Sequence, residues 1–189
     1  MSAPAKRSKA ATYDEILKLP EGVVGEIVDG ELFVSPRPSA KHAVASSRLL
    51  SEIDGRFHSG KRGGPGGWWI IMEPELHLNS HVLVPDLAGW RRERMAKVPD
   101  SPHFDLVPDW VCEVLSPSNL QLDRVKKVPK YAEVGIKHLW LVDPSARTLE
   151  VFRLEKKLWL LIETFANKAK FRAEPFEAIE FHLSDLWGE

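Results

Sequence analysis

The chain has 189 residues, of which 43% are hydrophobic and seven are tryptophans, so it can bury a sizeable core, and its length favours one domain. A formal net charge of −1 excludes binding of nucleic acid through overall charge, and a single cysteine, Cys112, excludes an intramolecular disulfide. A single cysteine suits a reducing compartment, so we expect a cytoplasmic protein. No apolar stretch is long enough to cross a bilayer, so we expect no membrane partner.

The amino-terminal segment is expected to precede the folded domain. Residues 1–11 carry three basic side chains and no apolar stretch, which is typical of a disordered tail, and residues 12–189 are expected to form a single domain. A capping box at 12–15 predicts a short helix to Leu19. Residues 23–28 and 31–35 alternate around Asp29-Gly30, a pair that predicts a β-hairpin.

The central part of the chain alternates helix and strand signals. Residues 39–58 predict the longest helix, because their apolar side chains and His42 recur at helical spacing. After a glycine-rich loop, residues 68–78 and 82–90 predict a pair of strands. A charged loop leads to a strand at 110–115, and Gly135 is expected to end a helix that begins near Leu120.

The carboxy-terminal third is expected to be β structure. Residues 137–142 predict a strand, and residues 149–154 and 158–165 predict a β-hairpin. Residues 179–183 add further apolar alternation. The order of elements predicts the α/β class, as a mixed α+β sheet with flanking helices and a carboxy-terminal β-hairpin.

Two acidic residues within apolar runs are the first sign of a function. Asp86 follows a proline in a run of valines and leucines, and Glu113 lies in Trp-Val-Cys-Glu-Val-Leu. Burial disfavours a carboxylate unless a cation compensates it, and Mg²⁺ takes oxygen ligands at about 2.1 Å. Asp86 and Glu113, with the backbone carbonyl of Val114, therefore predict a site for Mg²⁺ (or Mn²⁺) and hydrolysis of a phosphodiester.

A cation that assists the reaction is expected on the following helix. A lysine two residues after Glu113 would share its face of the strand, but that position is Leu115. Asp123, Lys127 and Tyr131 are spaced by four residues, so they share one helical face, and Lys127 can polarise the attacking water or the scissile phosphate.

Pro129 lies between Lys127 and Tyr131, and a proline inside a helix removes a hydrogen bond and kinks the axis. Lys126 and Lys130 are therefore the alternatives to Lys127.

Other interpretations of these residues stay open at this point. Glu113 can instead form a buried salt bridge with Arg124 or Lys127. Glu26 fits a third metal ligand or a hydrogen-bonding residue of the core equally well. His42 fits a structural hydrogen bond at a helix start better than a metal ligand.

Two further groups of polar residues fit a surface position. His77, His81 and His103 have no paired spacing of the kind that zinc requires, so we expect them on the surface. The basic run at residues 91–94 fits a solvated loop, or a contact with a DNA backbone.

The chain resembles the Uma-two family, which is classed with restriction endonucleases in the broad PD-(D/E)xK nuclease superfamily. The resemblance covers about Tyr13 to Trp187 and rests on GEIVDGELFVSPRP, VPDLAGW, DWVCEVLSPSN, DRVKKVPKY and VGIKHLWLVDP. It implies a restriction-endonuclease-like core and a metal site.

The resemblance also assigns roles by position. Asp86 matches the aspartate of the PD element, Glu113 the acid of the second element, and Lys127 the helix lysine that replaces the strand lysine. Further polar positions of the family match as well, at Glu26, His42, Asp123 and Tyr131.

These observations lead to one principal hypothesis and two alternatives. The principal hypothesis is a Mg²⁺-dependent endonuclease that cuts double-stranded DNA as a homodimer, with Trp159 and Phe165 of the terminal hairpin at the dimer surface. The first alternative is a catalytically inactive nucleic-acid-binding or assembly module on a nuclease scaffold. The second is a metal hydrolase for another phosphate ester.

Overall fold

Residues 9–188 are described by a computed structural model, in which three short helical regions pack against two β-sheets. The helices are α1 (Tyr13–Ile16), α2 (Ala40–Ile53) and α3 (Val128–Val134). A wider π-helical segment, Asp54–His58, follows α2, and another, Leu122–Lys127, precedes α3. A 3-10 turn spans Leu183–Leu186. The strands are β1 (Val24–Val28), β2 (Glu31–Ser35), β3 (Trp68–Met72), β4 (Leu76–Leu78), β5 (His81–Leu83), β6 (Leu87–Arg91), β7 (Trp110–Val114), β8 (His138–Asp143), β9 (Thr148–Glu155), β10 (Leu158–Ala166), β11 (Lys170–Phe171) and β12 (Phe181–His182).

The strands form one larger mixed sheet and one smaller antiparallel sheet. The six-stranded sheet has the order β10-β9-β8-β7-β6-β3, in which β7 and β8 are parallel and the other neighbours are antiparallel. The four-stranded sheet has the order β2-β1-β5-β4 and is antiparallel, and β11 pairs with β12 separately. This confirms the mixed α+β class and the β-hairpin of the carboxy-terminal third.

The first hairpin forms around the expected turn. Val28 pairs with Glu31, and Asp29 and Gly30 adopt φ values of 53° and 74°, as a tight two-residue hairpin turn requires. The expected tail at 1–11 lies largely outside the described residues. Its end is bound to the fold, because the Ala11 N–H donates to the Gly30 carbonyl at 2.8 Å.

The expected strand pair at 68–78 and 82–90 is wrong in one respect, because each run is divided between the two sheets. β3 pairs with β6 in the larger sheet, and β4 pairs with β5 in the smaller one. Pro74 and Pro85 lie at the two breaks, where a proline cannot donate a ladder hydrogen bond. Each run therefore passes from one sheet to the other at its proline.

Two helices depart from the predicted ranges. The helix predicted to reach Leu19 is regular only to Ile16. The long helix begins after Ser39, whose Oγ accepts from the His42 N–H at 3.4 Å, and its final turn at Asp54–His58 is π-helical. The predicted start and buried face of α2 hold, whereas its last turn is wider than a regular α-helix.

Pro129 does not lie in a regular helix interior, and that expectation is corrected. It is in the first turn of α3, where the missing N–H breaks no regular hydrogen bond. The preceding turn is π-helical, and the Val128 N–H donates to the Asp123 carbonyl five residues back. The wider turn accommodates the proline and keeps Lys127 on the face predicted for it. Gly135 ends α3 in the left-handed conformation, as expected.

Both faces of the six-stranded sheet are covered. One face packs an aromatic core against α2 and the chain end, with Trp110, Trp140 and Phe176 fully buried. The other face packs against α3. The outer strand β10 leaves Leu158, Leu160 and Leu161 exposed. Within residues 9–188, no helix is long and apolar enough to span a membrane.

Candidate metal centre

An acidic cleft lies where the two sheets meet, and elements from both sheets contribute to it. Glu26 comes from β1 of the smaller sheet, and Glu113 from β7 of the larger one. Asp86 lies on the connection between β5 and β6, where the chain passes from one sheet to the other. His42 from the first turn of α2 and Lys127 from the π-helical segment complete the cleft, which opens to solvent.

Three contacts fix the position of Asp86. Its Oδ2 accepts from the Val114 N–H at 2.6 Å, and its Oδ1 lies 2.9 Å from the Nε2 of His42. Its backbone carbonyl accepts from the Glu73 N–H at 3.0 Å. The side chain is 15% exposed, so Asp86 is held between the two sheets and still faces the opening.

Glu113 is almost fully buried and directed to the same place. Its Oε1 accepts from the Tyr131 hydroxyl and lies 2.9 Å from the Nζ of Lys127. Its Oε2 has only a long contact with the Asp86 N–H, at 3.4 Å. One oxygen of Glu113 is therefore anchored, and the other is close to Asp86 with lone pairs to spare.

The ammonium group of Lys127 is surrounded by acceptors. Its Nζ lies 2.9 Å from both Glu26 and Glu113, 3.5 Å from Asp123 and 3.0 Å from the Val84 carbonyl. The side chain is only 2% exposed. The salt bridge between Glu113 and Lys127 is therefore formed, and the Lys127 geometry suits a residue that positions carboxylates.

The two alternative lysines and the alternative arginine are engaged elsewhere. Lys126 lies 3.6 Å from Glu31, and Lys130 lies 2.6 Å from Asp29. Arg124 pairs with Glu150 of β9. Of these basic side chains, Lys127 alone is among those that line the cleft.

Glu26 acts here as a buried hydrogen-bonding residue. Its Oε1 accepts from the Val84 N–H at 2.7 Å as well as from Lys127. It therefore holds the strand end that leads to Asp86. Because it also lines the cleft, the geometry is compatible with both roles considered for it.

The cleft contains more acidic than basic groups, and burial intensifies their repulsion. Burial raises the pKa of Glu113 well above its usual range, with Lys127 opposing and Asp123 and Asp86 adding to the rise. Burial likewise raises the pKa of Asp123 to about 6. Burial alone would lower the pKa of Lys127, but the surrounding carboxylates outweigh it and raise the pKa. A divalent cation would relieve this repulsion.

His42 is coupled to the same group of charges. Burial lowers the pKa of His42, but the hydrogen bond and charge of Asp86 outweigh it, so the pKa is raised overall. The Nδ1 of the ring lies 3.4 Å from the Ser46 Oγ. His42 therefore forms the structural hydrogen bond expected for it, and its partner is Asp86.

Oxygen donors at this position suit a hard divalent cation. The Val114 N–H points at Asp86, and the N–H and C=O of one residue in an extended strand point to the same edge. The Val114 carbonyl is therefore directed to the side of β7 on which Asp86 lies. With the Asp86 carboxylate and the Glu113 Oε2, this gives an all-oxygen donor set of the kind that Mg²⁺ and Mn²⁺ prefer.

One acidic residue of the cleft was missed by the sequence reasoning. Glu73 lines the cleft and adopts a φ of 45°, in the left-handed region that favours glycine. It precedes Pro74, directly opposite the Asp86 segment. The sequence pattern that could have identified it is the pair Glu73-Pro74 at the end of a strand. The same two residue types, acid and proline, occur in reverse order at Pro85-Asp86.

The surface assignment of three histidines is corrected. His81 is buried, and its Nδ1 accepts from the Asp29 N–H at 3.3 Å. His77 and His103 are half-buried and stack on each other, with ring centroids 3.9 Å apart. The spacing of 26 residues between these two gave no indication of the contact.

The basic run at 91–94 is neither a free loop nor part of the cleft. The guanidinium of Arg92 lies 4.1 Å from the Trp69 ring centroid, and Arg94 pairs with Asp109 at 2.7 Å. Arg91 ends the strand that Asp86 precedes, and a rise of about 3.3 Å per residue separates the two by roughly 16 Å.

Comparison with known proteins agrees with this fold. The crystal structure of a protein from Anabaena variabilis ATCC 29413, titled a putative nuclease belonging to DUF820, superposes with a TM-score of 0.75. The two chains are 25% identical, and the match covers 94% of this chain and 98% of the other. No protein with a curated description matches this chain.

The family comparison spans nearly the whole chain. The family model Uma2, described as "Putative restriction endonuclease", matches residues 11–184 and so includes every residue of the cleft described above. This confirms the resemblance drawn from the sequence motifs. The chain belongs to the Uma2 family of restriction-endonuclease-like proteins.

Proposed function

We propose that this protein is a Mg²⁺- or Mn²⁺-dependent endonuclease that hydrolyses phosphodiester bonds of double-stranded DNA. The observation that carries the proposal is the convergence of Asp86 and Glu113 at one cleft, linked through the Val114 N–H and the Asp86 N–H. Membership of the Uma2 family and the nuclease title of the structural neighbour support the reaction class.

The carboxylates of Asp86 and Glu113 and the carbonyl of Val114 would hold the cation. When bound, the cation supplies a water of lowered pKa and neutralises charge on the phosphate. The protein residues act around it: His42 orients Asp86, and Tyr131 and Lys127 orient Glu113. Outer contacts of this kind set the direction of ligand lone pairs.

Lys127 is proposed to act through Glu113. Its ammonium is buried among the carboxylates and contacts both Glu113 and Glu26, so it fixes these two side chains in place. Asp123 and Glu73 lie at the same cleft and are proposed to bind water beside the cation.

A homodimer is proposed because cleavage of both strands of a duplex commonly uses two sites related by a twofold axis. The exposed leucines of the edge strand β10, at 158, 160 and 161, support a dimer surface on the terminal hairpin.

The direct test is plasmid nicking with purified full-length protein. With Mg²⁺ or Mn²⁺ we expect supercoiled DNA to become nicked and linear, and EDTA to stop the reaction. Asp86→Asn and Glu113→Gln should remove the activity while the circular-dichroism spectrum and thermal midpoint stay close to the wild type. Glu150→Gln, which alters a glutamate outside the cleft, is the matched control.

The same assay separates the alternatives. An inactive nucleic-acid-binding module would bind DNA in a mobility-shift assay and leave it intact with every divalent ion. A hydrolase for another phosphate ester would cleave a small phosphodiester and spare plasmid DNA. Either result would overturn the proposed endonuclease.

A further inference from the structure

A second group of metal-ligating side chains lies outside the acidic cleft. Glu75, His77 and His103 each place one ligand atom within 4.8 Å of the others. The His77 Nε2 lies 2.7 Å from the Glu75 Oε1, and the rings of His77 and His103 are stacked. None of the three is among the residues that line the cleft.

The backbone brings these residues together without any metal. Glu75 and His77 are two residues apart in an extended segment, so their side chains lie on one face. The His77 N–H donates to the Phe104 carbonyl at 2.9 Å, and the Phe104 N–H donates to the Glu75 carbonyl at 2.8 Å. These reciprocal bonds fix the segment that carries His103 against β4.

The surroundings of the cluster favour coordination. The three side chains are 22–27% exposed, which leaves a route for an ion from solvent. The Nδ1 of His103 is buried and has no hydrogen-bond partner within residues 9–188. The Tyr13 hydroxyl donates to the Glu75 Oε1 at 2.8 Å, an outer contact of the kind that orients a ligand carboxylate.

We propose that Glu75, His77 and His103 bind one zinc-type transition-metal ion, at a site separate from the cleft. Two imidazoles and one carboxylate suit Zn²⁺, with bonds of about 2.0–2.1 Å and water at the fourth position. Tetrahedral geometry then sets the donor atoms about 3.3 Å apart, so binding requires the two stacked imidazoles to rotate toward a common point. The bound ion would tie the loop at 92–109 to β4.

The test is a titration of metal-free, full-length protein with Co²⁺, followed by Zn²⁺. Co²⁺ is the probe because a tetrahedral nitrogen and oxygen site gives an intense visible absorption band, whereas an octahedral carboxylate site absorbs weakly. We expect one Co²⁺ per chain with the intense band, and its loss when Zn²⁺ is added. His77→Gln and His103→Gln should each weaken binding by about a hundredfold or more.

Two control variants make the result specific. His182→Gln alters an exposed histidine on β12, and Glu113→Gln alters the cleft; both should keep the intense band. Glu75→Gln is a third ligand variant, for use if a histidine variant does not fold. A wild type without the band, ligand variants that keep it, or its loss in Glu113→Gln would overturn the proposal. None of these outcomes depends on nuclease activity.

Discussion

The two faces of strand β7 are both buried, but only one of them carries a charged side chain. On one face, Trp110 packs into the aromatic core, with ring centroids 5.5 Å from Trp140 and 4.9 Å from Phe176. On the other face, Glu113 contacts Lys127 and Tyr131. Trp110 and Glu113 belong to one short strand but pack in different surroundings, because successive side chains of a strand point to opposite faces.

Within the five residues of β7, Trp110 contributes mainly to stability and Glu113 mainly to the proposed chemistry. The aromatic face buries large apolar area and contributes to folding without polar demands. The Glu113 face holds buried charges whose desolvation offsets much of their mutual attraction, so this network adds little net stability. Variants of the aromatic residues should therefore change stability, and variants of Glu113 and of the side chains that contact it should change metal binding and catalysis.

The largest effect is expected for Glu113→Gln on the charged face. It should lower the rate of DNA cleavage by about a thousandfold, a loss typical of a group that stabilises transition-state charge. The unfolding free energy should change by less than about 1 kcal/mol, because Glu26 and Asp123 still neutralise Lys127 and glutamine keeps an acceptor for Tyr131. Nicking assays and thermal denaturation measure both. A large loss of stability would show that the charged face is part of the folding core.

Trp140→Ala tests the aromatic face and should have the reverse effect, a loss of stability without a loss of metal binding. Removing this fully buried ring should lower the unfolding free energy by about 3–5 kcal/mol. Metal affinity measured well below the thermal midpoint should stay at the wild-type value. Urea denaturation gives the first quantity, and Leu17→Ala, at a position 65% exposed just after α1, is the control that should stay within about 0.5 kcal/mol.

Tyr131→Phe gives an intermediate effect, because it removes one hydroxyl that donates to Glu113. The rate or the metal affinity should fall by about 10- to 100-fold, as for other outer-contact residues of metal sites. A comparison of metal dissociation constants and single-turnover rates separates the two. Rates and affinities equal to the wild type would mean that Lys127 alone positions Glu113.

The smallest effect is expected for Arg94→Ala, at the end of the basic run. The side chain pairs with Asp109, at the end of the sheet far from Asp86, so cleavage should change by less than about twofold. The salt dependence of DNA binding should keep its slope, because no phosphate contact is lost. A slope reduced by about one would place DNA on this loop after all.

Much of the framework could be predicted from local patterns. The Asp29-Gly30 turn, the start of α2 near Ser39 and the helix end at Gly135 depend on neighbouring residues only, and each lies where its pattern indicated. The prediction that Asp123 and Lys127 share one face also depended on local spacing only. Residues four apart stay neighbours even in the wider π-helical turn.

The remaining features depend on contacts that no short pattern contains. Glu73 reaches the cleft because two prolines divide their runs between two sheets, which alternation alone does not reveal. His77 and His103 meet through a backbone bridge between distant segments. The π-helical turn before Pro129 accommodates a proline that would disrupt the interior of a regular α-helix, and the sequence pattern gave no indication of this turn.

The central claim is that Asp86 and Glu113 hold one divalent cation. The most direct measurement is a calorimetric Mn²⁺ titration of full-length His103→Gln protein, in which the cleft is the one proposed site left intact. It is compared with the double variant that adds Glu113→Gln. We predict one Mn²⁺ per chain in the first protein and loss of binding in the second, at unchanged thermal stability. Equal binding in both proteins, or no binding in the first, would contradict the claim.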